Sequence, residues 1–225
     1  YSGAEKESAF KLIEQLEPNL EEKIQYKDHF FNSQMVEWTG GLEYVKDIIA
    51  EERNEWISFD IFDTLIVRPF YKPEDLFSFL DPLYRKKMDT NASFKEIRIE
   101  GEKLAREKWG KLAPKREDIL LEEIYLVISE YYKIPETIAK ELMQTEIKLE
   151  ENFLSIRKAG KELFDFTVSL GKNIILTSDM YLDRSTIVEI LEKFEYREYK
   201  YLFLSSDIGL TKTTGNLFRY ILKSL

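Results

Sequence analysis

The stretch Trp56-Ile57-Ser58-Phe59-Asp60-Ile61 is a near-continuous apolar run interrupted by an aspartate near its end. Two later runs share its character, Asn173-Ile174-Ile175-Leu176-Thr177 and Tyr201-Leu202-Phe203-Leu204-Ser205. Apolar runs without alternation are typical of parallel strands that are buried on both faces. Segments with helical periodicity separate and follow these runs. Helices that alternate with buried strands predict an α/β fold with a parallel sheet.

A long insertion separates the first predicted strand from the second, and it exceeds a hundred residues. Apolar residues at helical spacing predict four helices within it. Their approximate bounds are 73–88, 92–110, 116–132 and 135–150. The insertion begins just after the carboxyl end of the first strand, where ligands of open parallel sheets bind. We therefore expect a small helical bundle that acts as a lid.

The composition excludes several classes of protein. The 225 residues are 44% hydrophobic and 33% charged, which predicts one globular domain with an elaboration. No cysteine is present, and the single histidine, His29, cannot by itself form a histidine-based metal site or a catalytic triad. We assign His29 a packing or surface role. The formal net charge of −9 argues against nucleic-acid binding, and no apolar stretch approaches the ~20 residues of a membrane span.

The first part of the chain differs in charge from the rest. Residues 1–55 carry 13 acidic and 6 basic side chains, so they hold −7 of the total charge of −9. This asymmetry predicts a separate helical segment over residues 1–54, with one helix near its start and another from Leu42. The chain begins at Tyr1 without an apolar signal region, which favours a piece of a longer, cytoplasmic protein.

Polar residues that can handle a phosphate follow the three predicted strands. Asp60 ends the first strand, Thr177-Ser178-Asp179 ends the second, and Lys212 follows the third. The carboxyl ends of parallel strands meet at one edge of a sheet, so an acid, a hydroxyl and an ammonium would converge there. A carboxylate can attack phosphorus while the hydroxyl and the ammonium hold phosphoryl oxygens. The alternative is that Asp60 and Asp63 merely cap the turn and the next helix.

Three motifs in this order resemble the haloacid dehalogenase (HAD) superfamily over roughly residues 55–225. They are Phe59-Asp60-Ile61-Phe62-Asp63-Thr64-Leu65, Leu176-Thr177-Ser178-Asp179 and Lys212-Thr213-Thr214-Gly215-Asn216-Leu217-Phe218. The resemblance implies a Rossmann-like core over residues 55–70 and 151–225, with an α-helical cap over residues 71–150.

The resemblance also implies the roles of individual residues. Asp60 takes the role of the nucleophile, and its carboxylate and the backbone carbonyl of Phe62 would bind Mg²⁺. Ser178, or otherwise Thr177, matches the hydroxyl of the second motif, and Lys212 matches the lysine of the third. The implied activity is a phosphohydrolase that forms an aspartyl-phosphate intermediate on a small phosphorylated metabolite.

The first motif, together with Ser178-Asp179-Met180-Tyr181-Leu182, resembles a bacterial HAD group found beside glycosyltransferases in surface-polysaccharide synthesis. A sugar phosphate or a nucleotide-linked sugar is therefore the expected substrate, and a glycosyltransferase domain or protein is a candidate partner. The alternative is a non-catalytic HAD-fold module that binds a phosphorylated ligand or positions that partner. A haloacid dehalogenase is a minor alternative.

The sequence departs from the family pattern at two places. HAD phosphatases carry a second aspartate two residues after the nucleophile as an acid/base group, but here that residue is Phe62. Dehalogenases of the superfamily also lack this aspartate, and Asp63 is a possible substitute. The fourth, acidic motif should follow the helix after Lys212, where only 13 residues remain. We therefore expect the core to be incomplete at its C-terminus.

Other residues are candidates for substrate binding. Thr64 and Asp179 belong to the motif loops, and Arg68, Arg98 and Arg106 could grip a phosphate or a carboxylate bidentately. The alternative for two of the arginines is a plain ladder of charges at i, i+4 spacing on an exposed helix face, running Arg98, Glu102, Arg106.

Overall fold

The structure, a computed structural model, describes residues 41–225. In chain order its elements are α1 (Gly41–Ala50), β1 (Trp56–Asp60), β2 (Ile66–Val67), a 3-10 helix (Pro73–Leu80), α2 (Asp81–Met88), α3 (Phe94–Leu112), α4 (Leu121–Tyr132), α5 (Glu136–Phe153), β3 (Ser155–Ile156), α6 (Lys158–Ser169), β4 (Asn173–Ser178), α7 (Arg184–Lys193), β5 (Tyr201–Leu204), α8 (Ser205–Ile208) and α9 (Asn216–Ser224). The helix expected from Leu42 is confirmed as α1. The helix expected near the start of the chain and His29 lie outside the described residues. Within residues 41–225, no helix combines the length and the apolar character needed to cross a membrane.

The main sheet has three strands in the order β1-β4-β5, and both neighbouring pairs are parallel. The α/β fold and the parallel sheet are thus confirmed. The expectation of burial on both faces holds for β4 but is wrong for β1, where Ser58 is exposed and only Phe59 is buried. The physical reason is that α6 covers the Phe59 side of β1, where the Phe59 ring contacts that of Phe164, whereas Ser58 on the opposite face is exposed.

A second, two-stranded sheet was not predicted. In it β2 and β3 run antiparallel, with Ile66 opposite Ile156 and Val67 opposite Ser155. Strands of two residues are too short to show any periodicity in a sequence. Only the folded chain brings these segments together.

The described chain divides into two compact units. The helical unit comprises Pro69–Phe153 and Tyr181–Asp183, and the sheet unit comprises residues 41–68, Leu154–Met180 and Arg184–Leu225. The boundaries expected for core and cap remain a prediction.

The helical unit is built on close packing. The rings of Phe70, Phe79 and Phe153 form one cluster, with centroids 4.7 to 5.7 Å apart. Helices α3 and α4 approach closely at Gly101, where a Cβ atom would lie 2.3 Å from the Ile128 side chain. A larger residue at position 101 would therefore displace the Ile128 side chain.

Two predicted helices of this unit have different bounds in the structure. The first is split into the 3-10 helix and α2 at Asp81-Pro82, because proline has no amide hydrogen to continue the helical bonds. The third begins at Leu121 instead of residue 116. There the Glu123 carboxylate accepts a 2.8 Å hydrogen bond from the Leu120 amide and thereby caps the helix start.

The sheet unit packs helices on the strands. Tyr196 is fully buried, its ring contacts that of Phe164, and its hydroxyl donates a 2.8 Å hydrogen bond to the Leu65 carbonyl. Helix α6 approaches the segment after β1 so closely that a Cβ atom on Gly160 would lie 2.0 Å from the Thr64 carbonyl oxygen. These contacts fix the chain that directly follows the β1 aspartate.

Candidate active site

Asp60 is the last residue of β1, at the edge of the sheet where ligands of parallel sheets bind. Its Oδ1 atom forms an ion pair with the Lys212 ammonium at 2.7 Å and accepts a hydrogen bond from the Ile61 amide at 2.8 Å. The side chains of the charged pair are partly accessible, 40% for Asp60 and 24% for Lys212. The structure thus brings two predicted site residues into direct contact at a position that solvent reaches.

A tight turn after β1 holds Asp60 in place. The carbonyl of Ile61 accepts hydrogen bonds from the amides of Leu65 at 2.9 Å and Ile66 at 3.1 Å. Asp63 adopts a φ of 57°, a left-handed conformation that aspartate tolerates better than most residues. The alternative that Asp60 only caps this turn accounts for its bond from the Ile61 amide, but not for its bond from the lysine.

Two hydrogen bonds join the loop after β4 to the chain that follows β5. Both carboxylate oxygens of Asp179 accept from the backbone amide of Lys212 at 2.9 Å. The amide of Met180 donates to the hydroxyl of the fully buried Ser205 at 2.9 Å. The sequence analysis missed both bonds, because a side chain that binds a backbone amide 33 or 25 residues away leaves no signal in sequence spacing.

The two candidate hydroxyls at the end of β4 differ in their surroundings. Thr177 lies opposite Asp60 in the sheet register, and its hydroxyl shares a 3.1 Å hydrogen bond with that of Ser58. Ser178 is the last residue of the strand and is buried. Because side chains alternate along a strand, the Ser178 side chain points to the opposite face from Thr177.

Cationic side chains surround the turn after β1. The buried Arg68 guanidinium lies 4.6 Å from the centroid of the Phe62 ring. Burial lowers the pKa of Arg157, and the attraction of Asp63 partly opposes that shift. Asp63 itself is exposed. Its substitution for the missing acid/base aspartate remains a prediction.

Arg98 has a structural position inside the helical unit. Its guanidinium is completely buried and donates to both oxygens of the buried Glu146, at 2.8 and 2.9 Å. Burial alone would lower its pKa, but the charge of Glu146 outweighs that effect and the pKa is raised well above its ordinary value. These contacts assign Arg98 to the core of the unit instead of to a substrate-binding surface.

The ladder of charges predicted on this helix is present. Glu102 accepts hydrogen bonds from Arg98 at 3.1 Å and from Arg106 at 2.9 Å. The expectation of an exposed face is wrong at Arg98, because α4 and α5 cover that part of α3: Tyr125 and Glu146 enclose the guanidinium. Arg106 is also held by Asp118 at 2.9 Å.

The helical unit contains an open cleft of about 700 Å³. Apolar, acidic and basic side chains line it: Pro73, Glu74, Phe77, Ile99, Glu102, Lys103, Arg106, Glu107 and Tyr181. Tyr181 reaches this unit from the segment after β4, where its carbonyl accepts a 2.9 Å hydrogen bond from the Leu121 amide. Sequence reasoning named Tyr181 as part of a motif but did not place it in a cleft.

The atoms available for a metal ion are few. Within residues 41–225, no three acidic or histidine side chains are grouped to hold one. The Oδ2 atom of Asp60 forms no hydrogen bond with another described residue, and the Phe62 backbone carbonyl lies two residues further along the chain. Mg²⁺ is commonly bound by one or two carboxylates plus waters and substrate phosphate, so this sparse set of oxygens fits that ion.

No known protein-family model matches the chain, and no curated protein matches it in sequence. The residues of the site itself therefore carry the evidence for its chemistry. These residues are a carboxylate held by an ammonium, with hydroxyls on the neighbouring strand.

Proposed function

We propose that the chain is a HAD-type phosphohydrolase that acts on a small phosphorylated metabolite, either a sugar phosphate or a nucleotide-linked sugar. The observation that carries this proposal is the 2.7 Å contact between Lys212 and Asp60 at the carboxyl end of β1. A carboxylate in this place can attack phosphorus, and the ammonium can offset the negative charge of the phosphoryl oxygens. The order of the three motifs along the chain supports the same assignment.

The proposed reaction has two steps. One carboxylate oxygen of Asp60 attacks phosphorus, and the bond from phosphorus to the leaving oxygen breaks. The leaving oxygen keeps the bonding electrons and takes a proton from water, because the phenyl ring of Phe62 cannot supply one. Water then cleaves the aspartyl-phosphate and restores the carboxylate. A sugar phosphate thereby yields inorganic phosphate, whereas a nucleotide-linked sugar yields a nucleoside monophosphate and a sugar phosphate. Ser178, or otherwise Thr177, orients the phosphoryl oxygens during both steps.

The proposed cofactor is Mg²⁺, which the Asp60 carboxylate and the Phe62 carbonyl would hold. When bound, this ion supplies positive charge beside the transferring phosphoryl group. The lysine ammonium supplies a second positive charge through its own contact with Asp60.

The helical unit is proposed as the cap that selects the substrate. In chain order its main segment lies between β2 and β3, as expected for an insertion into the core. Its cleft combines the rings of Phe77 and Tyr181 with the charged groups of Glu102 and Arg106. Aromatic faces beside hydrogen-bonding charges suit a sugar or a nucleotide.

The test measures release of inorganic phosphate from a panel of sugar phosphates, and of nucleoside monophosphate from nucleotide sugars, with and without Mg²⁺. We expect Mg²⁺-dependent release that Asp60→Asn lowers by a factor on the order of 10³ or more. Asp89→Asn is the matched control, because Asp89 lies on the surface of the helical unit in a left-handed conformation that asparagine also adopts. Equal release by wild type and Asp60→Asn would refute the proposal.

One observation favours the second candidate, a non-catalytic module that binds a phosphorylated ligand or positions a glycosyltransferase. The position expected to hold the acid/base aspartate is occupied by the Phe62 ring, and Arg68 lies against that ring. An arginine can bind an anion but cannot act as a general acid, since it stays protonated. Under this candidate the panel gives no phosphate, yet its members still raise the melting temperature of wild type. To test the dehalogenase alternative, 2-haloacids are added to the panel and halide release is measured.

A further inference from the structure

We propose that Asp179 is a positioning residue: its carboxylate binds the backbone amide of Lys212 and thereby directs the ammonium toward Asp60. This inference rests on the proposed function, because it assigns a task within the same site. The residues concerned belong to three different segments, the ends of β1 and β4 and the loop before α9.

The contact between Asp179 and Lys212 is unusual, because both oxygens of the Asp179 carboxylate accept from one backbone amide. Both oxygens lie 2.9 Å from the same nitrogen. Among residues 41–225, no lysine or arginine side chain forms an ion pair with Asp179, so the carboxylate is not part of a surface charge pair. A hydrogen bond to an ionised acceptor is roughly twice as strong as a neutral one. The bond is therefore strong enough to hold a loop.

The loop needs such a restraint, because lysine is a flexible residue. Ordering its long side chain costs more rotamer entropy than ordering most other side chains. The Lys212 carbonyl is held from the other side, by the Gly215 amide at 2.9 Å, and the Thr211 carbonyl accepts from the Leu217 amide at 3.2 Å. With Asp179 on its amide, the Lys212 backbone is fixed at both of its polar groups. The side chain then has one end fixed and the other bound to Asp60.

A second bond between the same segments provides a matched control. Met180, the next residue, donates its backbone hydrogen bond to the Ser205 hydroxyl at the start of α8 and not to Lys212. Loss of the Ser205 hydroxyl leaves the buried Met180 amide without this hydrogen bond, which lowers the stability of the fold. If Asp179 served only to tie the segments together, Ser205→Ala and Asp179→Ala would have the same consequences at Lys212.

The experiment measures the exposure of the Lys212 amine directly. The full chain is labelled with an amine-reactive ester, and the rate at Lys212 is read by peptide mass spectrometry. In Asp179→Ala we expect this rate to rise about tenfold, the change that a lost charge-assisted hydrogen bond of ~1.5 kcal/mol predicts. Asp179→Asn keeps one carbonyl acceptor and should lie between Asp179→Ala and wild type. Ser205→Ala should lower the melting temperature but leave the labelling rate at the wild-type value.

Phosphate release supplies the functional measurement. Asp179→Ala should lower kcat by about tenfold with little change in KM, and it should add no further loss to Lys212→Ala if it acts through the lysine. An unchanged labelling rate in both Asp179 variants, or an equal rise in Ser205→Ala, would overturn the inference. If the Asp179→Ala variant does not fold, the labelling rate at Lys212 in Asp179→Asn tests the inference by itself.

The two proposals fail in different ways. Absence of phosphate release from wild type would contradict the phosphohydrolase, whereas the labelling rates need no turnover and still test the role of Asp179.

Discussion

Gly160 offers the sharpest test of how the site is supported, because α6 presses there on the turn that follows Asp60. A Cβ atom at this position would lie 2.0 Å from the Thr64 carbonyl oxygen, 3.0 Å from its carbon and 3.1 Å from the Leu65 Cα atom. All three are backbone atoms, so no side-chain rotation can make room. Ordinary contact begins near 3.4 Å, so helix and turn must separate by about 1.4 Å.

The expected cost of Gly160→Ala follows from these contacts. Overpacking of this kind costs about 1–3 kcal/mol. The Leu65 carbonyl accepts hydrogen bonds from the Arg157 amide at 2.9 Å and the Tyr196 hydroxyl at 2.8 Å. Displacing it weakens bonds worth about 1 kcal/mol each. Alanine returns at most about 1 kcal/mol through its higher helix propensity. We expect a net loss of about 2–3 kcal/mol.

The assay combines thermal and urea unfolding with phosphate release. For a chain of this size the loss corresponds to a drop of about 4–12 °C in melting temperature. Gly110→Ala is the matched control, because no atom lies within 4 Å of a Cβ built there and the residue lies within α3. It should be as stable as wild type or up to about 1 kcal/mol more stable. A Gly160→Ala protein as stable as Gly110→Ala would refute the reasoning.

Three further predictions concern the ion pair, the buried tyrosine and the site hydroxyl. Glu146→Gln leaves the buried Arg98 charge without its main partner and should cost about 3–5 kcal/mol in urea unfolding; an unchanged midpoint would contradict this. Burial raises the pKa of the Tyr196 hydroxyl in the folded chain. Above pH 10 this hydroxyl is therefore ionised in the unfolded chain but still neutral in the folded chain, and the free energy of unfolding falls by about 1.4 kcal/mol per pH unit. At pH 7, Tyr196→Phe should be about 1 kcal/mol less stable than wild type, because it loses the hydrogen bond to the Leu65 carbonyl. Above pH 10 the variant should lose less stability than wild type, because phenylalanine does not ionise. Parallel stability profiles of the two proteins against pH would rule this out. The Ser178→Ala variant should fold normally, but its kcat for phosphate release should be about 10²-fold lower. If its turnover equals that of wild type, Thr177 and not Ser178 orients the phosphoryl oxygens.

The sequence was informative where a single run of residues carries the physical signal. The apolar runs that became β1, β4 and β5 predicted their strands; their lack of alternation reflects burial in β4 and in most of β5, although β1 is mostly only partly buried. Asp60 and Lys212 could be named because parallel strands bring their carboxyl ends to one edge, so position along the chain predicts proximity. The helices of the insertion were also predicted, since each shows its own apolar stripe.

Contacts between distant segments were not predictable in the same way. Arg98 looked like part of an exposed ladder, because its spacing to Glu102 is the same whether or not another helix covers it. Its burial against Glu146 depends on how α3 and α5 pack. The short antiparallel pair of β2 and β3 likewise has no periodicity to detect.

The sequence by itself therefore determined the α/β class, the parallel strands, the helical insertion and the acid and ammonium of the candidate site, because these follow from local periodicity and strand order. Only the tertiary structure decided which side chain binds which backbone group. Asp179 binds the amide of Lys212, and Gly160 leaves space for the turn at Thr64, through distances between segments far apart in the chain. Such distances depend on packing over the whole unit, which no local pattern of residues encodes.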